Sequence, residues 1–158
     1  MKRMSEVVKT RPTAYIMCGI PGSGKSTYIE NNLKVDEVVS RDIIRVMLNY
    51  SKSVDQKMVG TREQEEHVTR TENELIEKLC KANKTFVIDD INTGKYRKNL
   101  IELLRKHNAY IIGVNINTPL DVCIKRREGQ ISPEILTKIH KEKRLITNEE
   151  VDEVINVN

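Results

Sequence analysis

Apolar residues in this chain gather into a few short runs, separated by longer stretches where they recur every three or four positions. Ala14-Tyr15-Ile16-Met17-Cys18 is the first run, Thr85-Phe86-Val87-Ile88-Asp89 a second, and Tyr110 to Ile116 a third. Runs without polar alternation predict strands covered on both faces. Val35 to Val39 predicts one more short strand. Helical spacing predicts helices over Lys25 to Asn32, Asp42 to Leu48 and Lys95 to His107, the last with Leu100, Leu103 and Leu104 inward. A longer helix ends near Ala82-Asn83 and carries Val68, Leu75, Ile76 and Leu79 on one face.

Local signals mark several boundaries. Thr61-Arg62-Glu63-Gln64 has the form of a capping box, which starts the long helix. Thr118-Pro119 and Ser132-Pro133 each place a hydroxyl cap before a proline whose missing donor is harmless in a first turn. The second of these starts a helix reaching about Arg144. Tyr50 to Gly60 reads as irregular, and the last dozen residues show no clear pattern. Strands alternating with helices predict an α/β fold, a parallel sheet with helices on both faces. Ligands then bind beyond the carboxyl ends of the strands, so the residues just after each strand are the ones to inspect.

A length of 158 residues fits one domain, residues 1–158, with 1–12 as a flexible N-terminal extension. Trp is absent and Phe occurs once, so the core must rest on Ile, Leu, Val and Met. The net charge of +4 suits phosphate-bearing partners without requiring nucleic acid. Cys18, Cys80 and Cys123 are too scattered for a zinc site, and Cys18 ends a buried-type run. A reducing, cytoplasmic setting is the default expectation (host cytoplasm for a viral chain). No apolar stretch approaches the ~20 residues of a membrane span, and Met1 to Arg11 lacks the apolar centre of a secretory signal.

Candidate chemistry begins after the first strand. Gly19-Ile20-Pro21-Gly22-Ser23-Gly24-Lys25-Ser26 matches G-x-x-x-x-G-K-[ST] in full, and Thr27 follows it. Glycines let such a backbone wrap closely, so that successive N–H groups point at phosphate oxygens. Lys25 would neutralise the outer phosphates, Ser26 would place its hydroxyl on Mg²⁺, and the next helix adds its positive end. After the second strand come Asp42 and Arg45, three apart on one helix face. Asp42 could take a proton from an attacking hydroxyl while Arg45 grips an anionic group, although an acid there also suits the helix dipole. Asp89-Asp90 end the next strand, where a carboxylate commonly holds Mg²⁺; the residues alone leave open which Asp serves. Lys125-Arg126-Arg127 suit a lid that brings guanidinium charge onto a transferring phosphate, or equally a solvated helix end. His67 and His140 have no partner at catalytic spacing, and Lys95 to Lys98 with Tyr96 read as a solvated first turn.

Taken together, G-I-P-G-S-G-K-S-T, S-R-D-I-I-R, V-I-D-D-I-N-T and K-R-R-E-G resemble the kinase domain of phage-type polynucleotide 5′-kinases, over roughly Ala14 to Arg144. The resemblance implies a P-loop kinase fold with a helical lid. It also implies transfer of the γ-phosphate of ATP, with Mg²⁺, to 5′-hydroxyl ends of DNA or RNA. Gly19 to Thr27 would then bind the nucleotide, Lys25 its phosphates, and Ser26 with Asp89 the metal. Asp42 is similar to the family's general base, and Arg45 to the residue contacting the acceptor's 3′-phosphate. Asp90 and Asn92 would fall on the acceptor side. Arg126 or Arg127 would be the lid arginine, the shorter lid leaving that choice open. Family members often carry an appended 3′-phosphatase domain, which this chain lacks, so it is expected to heal only the 5′ end or to work beside a separate enzyme. Two other readings use part of the same residues: a P-loop kinase for a small metabolite or protein hydroxyl, and a nucleotide-responsive binding module without transferase activity.

Overall fold

The computed structural model describes residues 11–52, 60–92 and 94–158. Five parallel strands lie in the order β2-β3-β1-β4-β5. They are β1 (Thr13–Cys18), β2 (Glu37–Val39), β3 (Thr85–Ile88), β4 (Tyr110–Ile116) and β5 (Glu153–Val157). The helices are α1 (Lys25–Asn32), α2 (Arg41–Met47), α3 (Arg62–Lys81), α4 (Lys95–Lys106), α5 (Leu120–Arg126) and α6 (Pro133–Glu142).

Side chains alternate across the sheet, and the two faces make two cores. Ala14, Ile16 and Cys18 of β1 pack with Phe86, Ile88 and Ile111 against Ile76 and Cys80 of α3 and Leu100 and Leu104 of α4. Met17, Val87, Ile112 and Val114 face the other way, toward Ile29 of α1. Each fully buried Ile or Leu contributes about 1.5–3 kcal/mol relative to exposure, so the three central strands carry much of the stability. All three cysteines are buried and free. Among the described residues no helix is long and apolar enough to cross a membrane.

The capping box at Thr61 forms as expected: its hydroxyl accepts from Gln64 N at 3.2 Å, and its own N–H donates to Gln64 Oε1 at 2.9 Å. Ser132 caps α6 in the same way. Elsewhere the structure corrects the sequence reading. The buried line of α3 runs Val68, Glu72, Ile76 and Cys80, whereas Leu75 and Leu79 are only partly buried at its edge. The second strand starts at Glu37 rather than Val35, because Asp36 turns its carboxylate onto Thr85 N at 2.9 Å. Thr118 does not cap α5; Pro119 holds that position and the Thr118 hydroxyl is used elsewhere. The final residues, which showed no pattern, form β5 on the open edge of β4. Residues 1–10 of the expected extension lie outside the described residues, as do 53–59 of the irregular stretch. Residues 11 and 12 belong to the fold: Arg11 donates to the carbonyls of Asn108 and Ala109, and Pro12 O accepts from Tyr110 N.

One buried cation ties the C-terminal segment to the sheet. The Arg97 side chain, 6% exposed, holds Glu150 through Nε at 3.1 Å and donates to the carbonyls of Asn92, Arg144 and Leu145. Removing it takes the cation from Glu150, which keeps only its bonds from Thr147, and the guanidinium donor from three carbonyls at once. Arg97→Ala should therefore cost about 3–5 kcal/mol in urea unfolding; a loss under ~1 kcal/mol would show that water replaces these bonds.

Candidate active site

The glycine loop follows β1 and is shaped by two residues in the left-handed region, Gly22 at φ 84° and Gly24 at φ 94°. A side chain at Gly22 would bring its Cβ within 2.9 Å of the Cys123 carbonyl, so α5 packs directly on the loop. Ser23 N closes a turn onto Ile20 O at 3.1 Å, and Lys25 Nζ donates to Gly19 O at 3.1 Å. The Thr118 hydroxyl donates to Ser23 O at 2.6 Å, which explains why it is missing from the α5 cap. Loop geometry is thus set from both sides, by β4's exit and by its own turns.

Gly24 precedes α1, and the first bond of that helix runs from Tyr28 N to Gly24 O. No side chain caps the helix and no acid lies in its first turn. Ser40 caps α2, Thr61 caps α3 and Ser132 caps α6. A helix N-terminus with its end left open, behind a glycine loop, has the donors and dipole to bind an anion such as a phosphate chain.

Beside it, the Ser26 hydroxyl donates to Asp89 Oδ2 at 3.1 Å. Asp89 Oδ1 is buried without a hydrogen-bond partner. This two-oxygen arrangement, with one orphaned carboxylate oxygen, fits a hard divalent cation that would complete its shell from waters and substrate phosphates.

The opposite wall of the cleft is built on α2. Arg45 Nη1 donates to Asp42 Oδ1 at 2.9 Å, and among the described residues Asp42 Oδ2 has no donor. Sequence reasoning missed what holds this pair. Glu65 of α3 takes the Arg45 fork through both oxygens, Nε at 3.0 Å and Nη2 at 2.6 Å, and also lies 3.5 Å from Arg41. That hydrogen bond holds the Glu65 carboxyl below its usual range and raises Arg45 in return. The only advance signal was the capping box, which placed Glu65 in the first turn of α3.

Asp90 and Asn92, expected on the acceptor side, line the cleft and also bond to the protein. Asp90 Oδ1 accepts from Arg41 N at 2.9 Å. Asn92, in a left-handed conformation at φ 49°, gives its amide to the carbonyls of Met17 and Asp90. The cleft they line joins the loop, α2 and α3. Of the two lid candidates, Arg126 reaches the glycine loop, donating to Gly22 O at 3.0 Å, whereas Arg127 turns to Gln130 Oε1. Tyr96 is 82% exposed at the cleft rim, in keeping with a solvated first turn. His67 has a partner that the sequence did not suggest, Tyr50 Oη at 2.8 Å.

A family profile described as the AAA domain matches residues 15–135. The chain belongs to that family, and its five-stranded parallel sheet flanked by helices is a P-loop kinase fold. Among solved structures, a chain of the Pnkp1/Rnl/Hen1 RNA repair complex superposes with a TM-score of 0.70 at 20% identity, over 84% of this chain and 44% of the other. A second structure of the Pnkp1/Rnl/Hen1 complex gives 0.64 at 23% identity, over 73% and 39%. The Mycobacterium tuberculosis APS kinase CysC, solved with AMPPNP and APS, gives 0.57 at 16% identity over 92% of this chain and 88% of that one. The chain thus spans less than half the length of the RNA-repair chains it matches.

Within the site one carboxyl is unusual. Burial, and then the charge of Asp90, push the Glu72 carboxyl up to about 9, with Arg41 and Arg45 opposing weakly. Folded Glu72 keeps a proton that the unfolded chain releases above its ordinary value of 4.5, so its contribution is lost as pH rises toward 9. Stability should therefore fall between about pH 4.5 and pH 9, this group adding up to ~1.4 kcal/mol per pH unit. Glu72→Gln should flatten that slope in denaturant titrations, and parallel slopes for the two proteins would show Glu72 to be ionised.

Proposed function

We propose that this protein is an ATP-dependent polynucleotide 5′-hydroxyl kinase. The observation that carries the reading is the Asp42–Arg45 pair on the first turns of α2, across the cleft from the glycine loop. The donor ATP would lie with its phosphates along Gly19 to Thr27 and the open end of α1. Ser26 and Asp89 would hold Mg²⁺, which supplies charge neutralisation between the outer phosphates. The acceptor hydroxyl would approach the γ-phosphorus in line with the leaving oxygen. Its proton passes to Asp42 Oδ2, the oxygen that Arg45 does not occupy. Lys25 and Arg126 meet the charge that spreads over the equatorial oxygens, and Arg126 rather than Arg127 is the lid arginine on this reading. Arg45 still has two N–H groups beyond its bonds to Asp42 and Glu65, enough for an acceptor phosphate. The fold shared with a chain of an RNA repair complex is in keeping with this reading.

A P-loop kinase for a smaller hydroxyl compound is the second reading. Glu65 and Asp42 cancel the charges of Arg41 and Arg45, so this wall lacks the net positive charge that long polyanions favour.

Incubation with Mg²⁺ and γ-labelled ATP should label 5′-OH oligonucleotides and a 3′-mononucleotide, with a rate that falls steeply as salt rises. Label only on nucleosides, sugars or amino-acid derivatives would favour the second reading, and none on any acceptor would sink the first. Asp42→Asn should lower the rate ~10²–10⁴-fold while nucleotide binding persists; a binding module would be indifferent to it. Arg126→Ala should cost far more than Arg127→Ala, and equal losses would remove Arg126 from the lid role.

A further inference from the structure

Asp42 and Arg45 stand three apart on α2. Left to themselves, such a pair closes as a fork, two guanidinium nitrogens on two carboxylate oxygens. The structure divides the contact instead. Arg45 gives Asp42 a single bond, Nη1 to Oδ1 at 2.9 Å. The fork goes to Glu65, with Nε on Oε2 at 3.0 Å and Nη2 on Oε1 at 2.6 Å.

Glu65 is held in place for this from both helices. Its own N–H donates to Thr61 O at 2.9 Å, in the first turn of α3 behind the capping box. Gly60 N reaches its Oε2 at 3.4 Å, and Arg41 of α2 reaches its Oε1 at 3.5 Å. A guanidinium is a rigid plane of five donors, so the edge that is gripped decides where the others point. Glu65 takes the edge formed by Nε and Nη2. Asp42 is left with one Nη1 hydrogen, and Nη1 and Nη2 each keep one further N–H.

The Arg45 side chain is only 12% exposed, so water is a poor substitute for a lost fork. Deprived of Glu65, the guanidinium needs another charged acceptor, and Asp42 already touches it. Closing on both Asp42 oxygens would cover the one that the reaction uses and make that carboxylate a weaker base.

We propose that Glu65 is a positioning residue that divides the Arg45 guanidinium. By holding one edge it keeps Asp42 Oδ2 open to a proton and two N–H groups open to an acceptor phosphate. The catalytic meaning rests on the kinase reading above, whereas the division of the guanidinium does not. A glutamate that merely tied α3 to α2 would matter equally with or without Arg45.

The test uses the full chain as wild type, Glu65→Gln, Arg45→Ala and the double variant. Gln has the volume of Glu but one acceptor oxygen, so it cannot take the fork. kcat and KM are measured for ATP, a 5′-OH oligonucleotide, and a 3′-mononucleotide beside its nucleoside. With Arg45 present, Glu65→Gln should lower kcat about tenfold or more, with KM for ATP unchanged. It should also reduce the preference for the 3′-mononucleotide over the nucleoside. In the Arg45→Ala background the same change should move kcat by less than about twofold. Equal losses in the two backgrounds overturn the proposal, and so does an unchanged kcat in Glu65→Gln. A crystal structure of Glu65→Gln gives a readout free of activity. Arg45 should there bond both Asp42 oxygens, and the single wild-type bond would overturn the proposal whatever the rates. If wild type phosphorylates no 5′-OH acceptor, the kinase reading fails while that structure still decides the division of the guanidinium. Should Glu65→Gln fail to fold, Glu65→Met, which fills the space with no acceptor, supplies the same comparisons.

Discussion

Parallel pairing of β1 with β3, Thr13 beside Thr85 through Ile16 beside Ile88, is the constraint on which the site depends. Two strands ending side by side must release their next residues at the same edge of the sheet. From β1 comes the glycine loop and from β3 the Asp89-Asp90 pair, and Gly19 N to Ile91 O ties the two exits together. Because β2 pairs with the far side of β3, its exit delivers Ser40 and α2 to the same edge. The glycine loop, Asp89-Asp90 and the start of α2 are adjacent as a result of strand order, before any side chain is considered.

Side chains then refine what topology brings together. Ser26 reaches Asp89 from one side and Arg41 N reaches Asp90 from the other, so two adjacent acids serve two different helices. Neighbouring residues at a strand end point to opposite faces, which is why one carboxylate can face the loop while the next meets the first residue of α2. α3 completes the wall by gripping α2 through Glu65 and Thr69, and its buried stripe positions both that grip and Glu72. Charge on this wall balances within the protein, so any selectivity for a phosphorylated acceptor rests on the free N–H groups of Arg45.

Much of this was legible in the sequence. The unbroken runs at Ala14 to Cys18, Thr85 to Ile88 and Tyr110 to Ile116 located the three central strands, because strands covered on both faces leave no polar gap. The glycine loop and the Asp42–Arg45 spacing located the two sides of the cleft. What escaped was long-range or polar. β5 is an edge strand of mixed residues, and only its pairing with β4 makes it a strand. Glu72 and Arg97 are buried where periodicity expects apolar residues, and Arg97 is received by partners distant in sequence. The hydrogen bonds that Asp90 and Asn92 make to backbone groups distant in sequence are revealed by no local pattern.

The account turns on one geometric claim, that Asp42 and the glycine loop face a single reacting phosphate. A structure of the protein with Mg²⁺, a non-hydrolysable ATP analogue and a short 5′-OH oligonucleotide tests it directly. The account places the 5′-oxygen within hydrogen-bond distance of Asp42 Oδ2, in line with the γ-phosphorus, and Arg126 on that phosphate. An oligonucleotide bound elsewhere, or its 5′-oxygen remote from Asp42, would contradict it.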